Sequence, residues 1–332
     1  MKSVCVLRGD GIGPEVVDCA TRVLTAATDN IEFIYADIGR DAHSRTGNYL
    51  PDDTIEAMKG ADSCLFGAVT SQRDPGYDSP VLRFRKHLDL YANIRPLKNV
   101  SRSSETSLDI IIVRENTEGL YTMNETEDDQ GVTTMRRVSR KASKRIISHA
   151  IGLARDRRRS GLCCVHKANV LQRSDGLFLK LFTEAVEKEG DWLCHSDRLV
   201  DSAAAGIIMF PEEFDVIVTL NLYGDILSDV AAAVVGGLGF APSGNIGPSH
   251  SVFEPAHGSA PDIAGRGVAN PTAAILSAGM MLDHLGMTNE AAIVEDAVSA
   301  AYRSGARTVD IGGDCGSHKF TERVIDCLRI GD

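Results

Sequence analysis

No stretch of this chain approaches the roughly 20 uninterrupted apolar residues that span a bilayer. The apolar run at residues 231–238 is short and broken by glycines. A basic excess is missing too. The formal net charge is −11, which argues against a nucleic-acid or anionic-membrane partner. Eight cysteines are present, without a C-x-x-C or any zinc-like spacing; Cys163 and Cys164 are the only adjacent pair. With no secretory character at the N-terminus, they are expected to be reduced thiols in a cytoplasmic protein. The patterns G-x-x-x-x-G-K-[ST], H-E-x-x-H and G-x-S-x-G are absent. Neither an internal repeat nor a low-complexity tract is found.

A dinucleotide fingerprint is nearly present and then fails. A strand, a glycine-rich turn and a helix open the chain, but the spacing is Gly9-x-Gly11-x-Gly13 rather than G-x-G-x-x-G. Asp10 puts a negative charge where a pyrophosphate would lie, and no acidic residue at the end of a second strand completes the pattern convincingly. The glycines are read as a tight turn beside a cleft.

What is present is an alternation of short buried strands and amphipathic helices. The chain has 332 residues, 43% of them hydrophobic, which is more than one ordinary core needs and implies two domains. Strands are expected at 2–7, 31–35, 63–69, 109–113, 162–165 and 215–220. Helices are expected at 15–27, 51–59, 141–155, 175–188 and 270–284. This rhythm predicts an α/β fold with parallel strands. Residues 121–140 are polar and read as a projecting hairpin or an ordinary surface loop.

Charged residues gather at the ends of these strands. Asp225 and Asp229 follow the apolar run at 214–220, four residues apart; on a helix starting near Gly224 they share one face. Two like charges there call for a cation between them, and hard oxygens suit Mg²⁺ or Mn²⁺. The alternative is a helix cap and a solvated aspartate. Arg85, Arg95 and Arg114 can clamp a di- or tricarboxylate through their planar forks, or form surface ion pairs. Lys167 follows a buried strand, where desolvation favours use as a base, although in isolation a snorkelling lysine is the better reading. Asp201 precedes an apolar helix and reads as a lone carboxylate or an N-cap. The Gly/Ala/Pro-rich loop at 254–270 allows close backbone approach to a flat ligand.

Taken together, Gly9-Asp-Gly-Ile-Gly-Pro14, Tyr91-Ala-Asn-Ile-Arg-Pro96, Val113-Arg-Glu-Asn-Thr-Glu-Gly-Leu-Tyr121, His166-Lys-Ala-Asn169, Gly224-Asp-Ile-Leu-Ser-Asp229 and the 257–270 loop resemble the β-decarboxylating dehydrogenases. These are the isopropylmalate, homoisocitrate and isocitrate dehydrogenases, and the resemblance covers nearly the whole chain. It implies a two-domain α/β isopropylmalate/isocitrate dehydrogenase-like fold, not a Rossmann fold. Residues 1–92 with 240–332 would form one domain and 93–239 the other, flanking a cleft.

The resemblance also assigns roles. Arg85, Arg95 and Arg114 would hold substrate carboxylates. Asp225, Asp229 and Asp201 would bind Mg²⁺ or Mn²⁺. Lys167 would take the substrate hydroxyl proton and Tyr121 would act as the acid. Lys167 and Asp201 would come from a second subunit, so the active sites are shared in a homodimer, with a tetramer left open. His257, Gly258, Ser259, Ala260, Asp262, Ile263 and Asn270 would form the cofactor loop. A carboxylate at Asp262 suits ribose hydroxyls and repels a 2′-phosphate, and Asp262-Ile263 stands where NADP-using relatives resemble a Lys-Tyr pair, so NAD is expected. Val81 and Leu82, four and three positions before Arg85, favour 3-isopropylmalate as substrate. Arg83 and the Arg114-Glu-Asn-Thr-Glu stretch favour homoisocitrate or isocitrate. A non-catalytic regulatory subunit and a plain small-molecule binder are the rival classes; the presence of Lys167 and Tyr121 argues against both.

Overall fold

The computed structural model describes residues 1–72, 77–100, 108–189 and 191–330. In chain order the strands and helices are β1 (Lys2–Gly9), α1 (Gly13–Ala27), β2 (Ile31–Ala36), α2 (Arg40–Thr46), α3 (Asp52–Gly60), β3 (Ser63–Ala68), α4 (Pro80–His87), β4 (Ala92–Lys98) and β5 (Asp109–Glu115). A small hairpin, β6 (Glu125–Asp128) and β7 (Gly131–Thr134), precedes α5 (Arg140–Asp156), β8 (Gly161–His166), α6 (Ser174–Val186), β9 (Cys194–Leu199), α7 (Val200–Met209), β10 (Val216–Thr219) and α8 (Asn221–Val235). The chain finishes with β11 (Pro242–Ile246), β12 (Ser251–Pro255), α9 (Thr272–His284), α10 (Thr288–Arg303) and α11 (Ser317–Ile330). No helix among the described residues is long and apolar enough to cross a membrane.

The chain divides into two compact units, Met1–Asp89 with Asn99–Glu105 and Val235–Asp332, and Leu90–Lys98 with Thr106–Val234. In the first unit the strand order is β2-β1-β3-β12-β11, parallel except for the antiparallel pair β11 and β12. Val4 to Leu7 are all fully buried, as a strand covered on both faces requires. β2 closes the edge and leaves Ile34 and Tyr35 exposed. Glu15, in the first turn of α1, accepts hydrogen bonds from the N–H of Ala269 and the hydroxyl of Ser317. That carboxylate ties the start of α1 to the end of the 257–270 loop.

The glycine-rich turn has a job other than phosphate binding. Asp10 accepts the N–H of Arg40 at 2.7 Å and of Thr70 at 2.9 Å, so its charge is spent on the unit's own backbone. Gly11 has φ +60°, and a Cβ there would sit 1.9 Å from the carbonyl oxygen of Ser259. Ile12 donates to that oxygen at 2.8 Å. The turn is therefore a seat for the 257–270 loop, and only glycine permits the approach.

In the second unit the order is β4-β5-β10-β8-β9, with β4 antiparallel to β5 and the rest parallel. Register does much of the positioning. Asn93 pairs with Arg114 and Arg95 with Ile112, so Arg95 and Arg114 project from the same face as diagonal neighbours. Thr219 aligns with both Arg114 and Val165, which brings the carboxyl ends of β5, β10 and β8 to one edge, where α/β sheets build their sites. The helix after β10 starts at Asn221 rather than near Gly224. Asp225 thus lies inside α8, which excludes a capping role. The hairpin β6–β7 is exposed throughout.

Candidate active site

Arg114 is 1% exposed, and its whole fork is used. Nε donates to the carbonyl of Asn221 at 2.9 Å, Nη2 to Asn221 Oδ1 at 2.8 Å and Nη1 to Asp225 Oδ1 at 2.5 Å. Arg95 is buried beside it. It donates from Nε to Asn93 Oδ1 at 2.8 Å and from Nη1 to Ser228 Oγ at 2.5 Å. Its Nη2 lies 3.3 Å from Asp225 Oδ1, and Nη1 lies 3.7 Å from Asp229 Oδ1. Tyr121 sits in a single 3₁₀ turn, Gly119–Thr122. It donates its hydroxyl to Asp225 Oδ2, with the Arg114 guanidinium 4.9 Å from its ring centroid.

The titration of these groups follows from burial and neighbours. Desolvation pushes the Tyr121 phenol above its ordinary value, and the hydrogen bond to Asp225 pushes the same way. Asp229 is raised first by desolvation; Arg95 opposes this and Asp225 adds to it. Two carboxylates, two guanidiniums and a protonated phenol thus share one face of the second unit.

The donor chemistry fits a hard divalent ion. Asp225 and Asp229 offer carboxylate oxygens one helical turn apart, and Mg²⁺ commonly takes one or two carboxylates and fills its shell with water and substrate oxygens. Among the described residues no three His, Cys, Asp or Glu side chains of the chain are grouped so as to hold a metal ion. Asp201, in the first turn of α7, instead pairs with Lys167: Nζ to Oδ1 is 2.5 Å. That hydrogen bond holds the exposed Asp201 carboxyl below its usual range.

The first unit carries the other expected residues. Arg85, on α4, is buried; Nη2 donates to Glu254 Oε1 at 2.9 Å, and Asn245 Nδ2 donates to the same oxygen at 2.7 Å. Arg85 Nε is buried without a hydrogen-bond partner, a donor to spare for an anionic ligand. Val81 and Leu82 are half-buried on the same helix. Arg83 is tied down, donating to Asn48 Oδ1 at 2.8 Å and lying 3.2 Å from Asp78 Oδ2.

The 257–270 loop is anchored at both ends. Ser259 is buried and shares a 2.8 Å hydrogen bond with Thr70 Oγ1. Asn270 donates Nδ2 to Asp310 Oδ2 at 3.0 Å and accepts the N–H of Thr272 at 3.0 Å. Between them Gly258 and Asp262 are exposed, Ala260 has φ 35°, and Ile263 is half-buried. His257 Nε2 is buried with no partner. Burial lowers the His257 pKa, so the ring is neutral near pH 7. An orphaned ring nitrogen in a loop with little charge fits a flat heteroaromatic group.

Several participants were not legible in the sequence. Asn93, Asn221 and Ser228 position the two arginines, and Glu254 positions Arg85. Asn93 lies two residues before Arg95 on a strand and Ser228 three after Asp225 on a helix, spacings that place each pair on one face. Glu254 gave no signal, because its pairing with Arg85 depends on the tertiary fold.

Fold and site define an α/β enzyme for an anionic substrate, built at strand ends. The family model for isocitrate/isopropylmalate dehydrogenase matches residues 3–328, and the chain belongs to that family of decarboxylating dehydrogenases. It is 48% identical over 329 residues to the isocitrate/homoisocitrate dehydrogenase of Thermus thermophilus, covering 98% of each chain. It is 46% identical over 336 residues to the 3-isopropylmalate/3-methylmalate dehydrogenase of Methanocaldococcus jannaschii, covering 99% of each. The crystal structure of isocitrate dehydrogenase from Methylococcus capsulatus superposes with a TM-score of 0.93 at 38% identity, covering 99% of this chain and 100% of that one.

Proposed function

We propose that this enzyme oxidises and decarboxylates 3-isopropylmalate, using NAD and Mg²⁺ or Mn²⁺. The observation that carries the substrate reading is on α4: Val81 and Leu82 are the side chains left for the substrate's side group, while Arg83 is engaged by Asn48 and Asp78. Apolar contacts suit an isopropyl group, and a further carboxylate would need a free cation.

In this reading Arg85, Arg95 and Arg114 hold and orient the carboxylates. Lys167 takes the proton from the C2 hydroxyl, and Tyr121, kept protonated by its raised pKa, returns a proton to C3 once CO₂ has left. A bound divalent ion would supply Lewis acidity at Asp225 and Asp229, and NAD would accept the hydride. The exposed Asp262 carboxylate favours NAD over its 2′-phosphorylated form.

A homodimer with shared active sites is part of the same proposal. Lys167 and Asp201 pair with each other within one chain, and Ile208, Met209, Phe210 and Ile226 are exposed on α7, just after it and on α8. Apolar exposure on and after α7 and on α8 supports a second copy there. Sedimentation at micromolar concentration tests it; an active monomer contradicts the shared site.

Homoisocitrate or isocitrate is the second reading, favoured by the name of the 48%-identical relative. A steady-state panel of isopropylmalate, homoisocitrate, isocitrate, malate and tartrate, each with NAD and NADP and with Mg²⁺ or Mn²⁺, separates the readings. Highest kcat/KM on isopropylmalate with NAD supports the first. Highest kcat/KM on a tricarboxylate transfers the assignment, and no turnover on any of them sinks the enzyme reading.

A further inference from the structure

The backbone of Lys167 is held from both sides. Its N–H donates to Asp175 Oδ2 at 2.8 Å. Its carbonyl accepts from Val170 and Leu171 at 3.0 and 2.8 Å. The residue before it is fixed as well. His166 Nδ1 accepts the N–H of Ala168 at 3.0 Å, which leaves Nε2 to donate to Asp197 Oδ2 at 3.0 Å. Beyond this fixed turn the lysine side chain runs out to Asp201.

Asp175 is the second residue of α6 and is fully buried. A buried carboxylate must have its oxygens satisfied. Its second oxygen accepts from Arg136 Nη1 at 2.6 Å and from Ser174 Oγ at 3.3 Å. Arg136 stands between β7 and α5, on the return from the exposed hairpin. Its guanidinium lies 5.3 Å from the ring centroid of Tyr223. Tyr223 is in the first turn of α8, two residues before Asp225. One carboxylate therefore touches the lysine turn directly and reaches, through Arg136 and at the Tyr223 hydroxyl itself, the helix that carries Asp225 and Asp229.

Stability alone is a weak reason for this arrangement, because a buried ion pair gains little over well-packed apolar side chains. What the carboxylate adds is a fixed position for a main-chain N–H next to the reacting side chain. Such supporting shells set the geometry of a site.

We propose that Asp175 is a positioning residue for Lys167, and that Arg136 couples this position to α8 through Tyr223. The inference rests on the reading of Lys167 as the base. Asparagine at 175 cannot serve both donors, because its amide nitrogen would face either the Lys167 N–H or the Arg136 guanidinium.

The test compares Asp175→Asn, Arg136→Gln and Lys167→Ala with the unchanged chain, by steady-state kinetics on the best substrate of the panel and by thermal melting. Asp175→Asn is expected to lower kcat about tenfold or more while both KM values stay within about twofold. Arg136→Gln is expected to lower kcat about threefold, again at constant KM. A folded Asp175→Asn protein with unchanged kcat, or with both KM values rising as kcat falls, overturns the proposal. If Asp175→Asn does not fold, Arg136→Gln decides: lowered kcat at constant KM supports the coupling, and unchanged kcat overturns it. An inactive Lys167→Ala beside a fully active Asp175→Asn removes this inference alone. A fully active Lys167→Ala removes the base reading and this inference with it.

Discussion

Arg114 and Asp225 meet at 2.5 Å between the end of β5 and the first turns of α8. The contact explains how two aspartates can stand one helical turn apart. Asp225 lies against both Arg114 and Arg95, and Asp229 lies 3.7 Å from Arg95. Opposite charge this close offsets the repulsion that the pair alone would suffer.

The same contact makes Gly224 sensitive. A Cβ there would lie 2.6 Å from Arg114 Cγ and 2.7 Å from Arg114 Cβ. These are atoms near the root of a side chain pinned by Asn221, so it cannot swing aside. Gly224→Ala is expected to cost about 1–3 kcal/mol of stability by overpacking and to lower kcat/KM by at least about tenfold through displacement of Arg114. Urea unfolding and steady-state kinetics measure the two effects; an alanine variant with unchanged values would show that the helix yields freely.

Gly11→Ala should act on cofactor binding instead. Its Cβ would collide with the Ser259 carbonyl at 1.9 Å, and the backbone there has φ +60°. The expected outcome is a KM for NAD raised about tenfold or more, with a smaller change in the KM for the hydroxy acid. Calorimetric titration of NAD checks the same point without turnover. Equal loss for both ligands would point to general unfolding.

Asp225→Asn removes a charged oxygen of the proposed metal site and the partner of Arg114 and Tyr121. Activity is expected to fall by about a hundredfold or more; Mn²⁺ is expected to raise the melting temperature of the unchanged enzyme and not that of the variant. Chelation should abolish turnover of the unchanged enzyme, and added Mg²⁺ or Mn²⁺ should restore it. Full activity after exhaustive chelation would remove the metal from the mechanism.

His257 gives a pH prediction with a definite sign. Burial lowers its folded pKa below the ordinary 6.5. Between these two values the unfolded chain takes up a proton that the folded ring refuses, so stability falls as pH drops below about 6.5. His257→Gln should lose that part of the slope. Unfolding free energies of both proteins at about pH 7, 6 and 5 test it; parallel slopes would show that the ring titrates normally.

Much of the fold was legible because its signals are local. The buried runs at 4–7, 110–113 and 216–218 are continuous apolar stretches, and the helical periodicity of 15–27 and 141–155 needs no partner to be seen. The helix start at Asn221 was not legible, since Gly224 argues locally against a helix interior. Glycine stands there because a side chain would meet Arg114, which no local pattern shows. Likewise Asp10 reads in the sequence as an obstacle to a phosphate, and only its hydrogen bonds to Arg40 and Thr70 show what it does.

The sequence by itself determined the reaction family, because its motifs resemble the β-decarboxylating dehydrogenases over nearly the whole chain, and the candidate reactive residues, because arginine, aspartate, lysine and tyrosine announce their chemistry wherever they lie. Tertiary structure decided which of them meet: Asp225 with Arg114 and Tyr121, Asp201 with Lys167, Glu254 with Arg85. The physical reason is that hydrogen bonds act over about 3 Å. Residues 169 positions apart, such as Arg85 and Glu254, come within that distance only when register and packing are set for the whole unit.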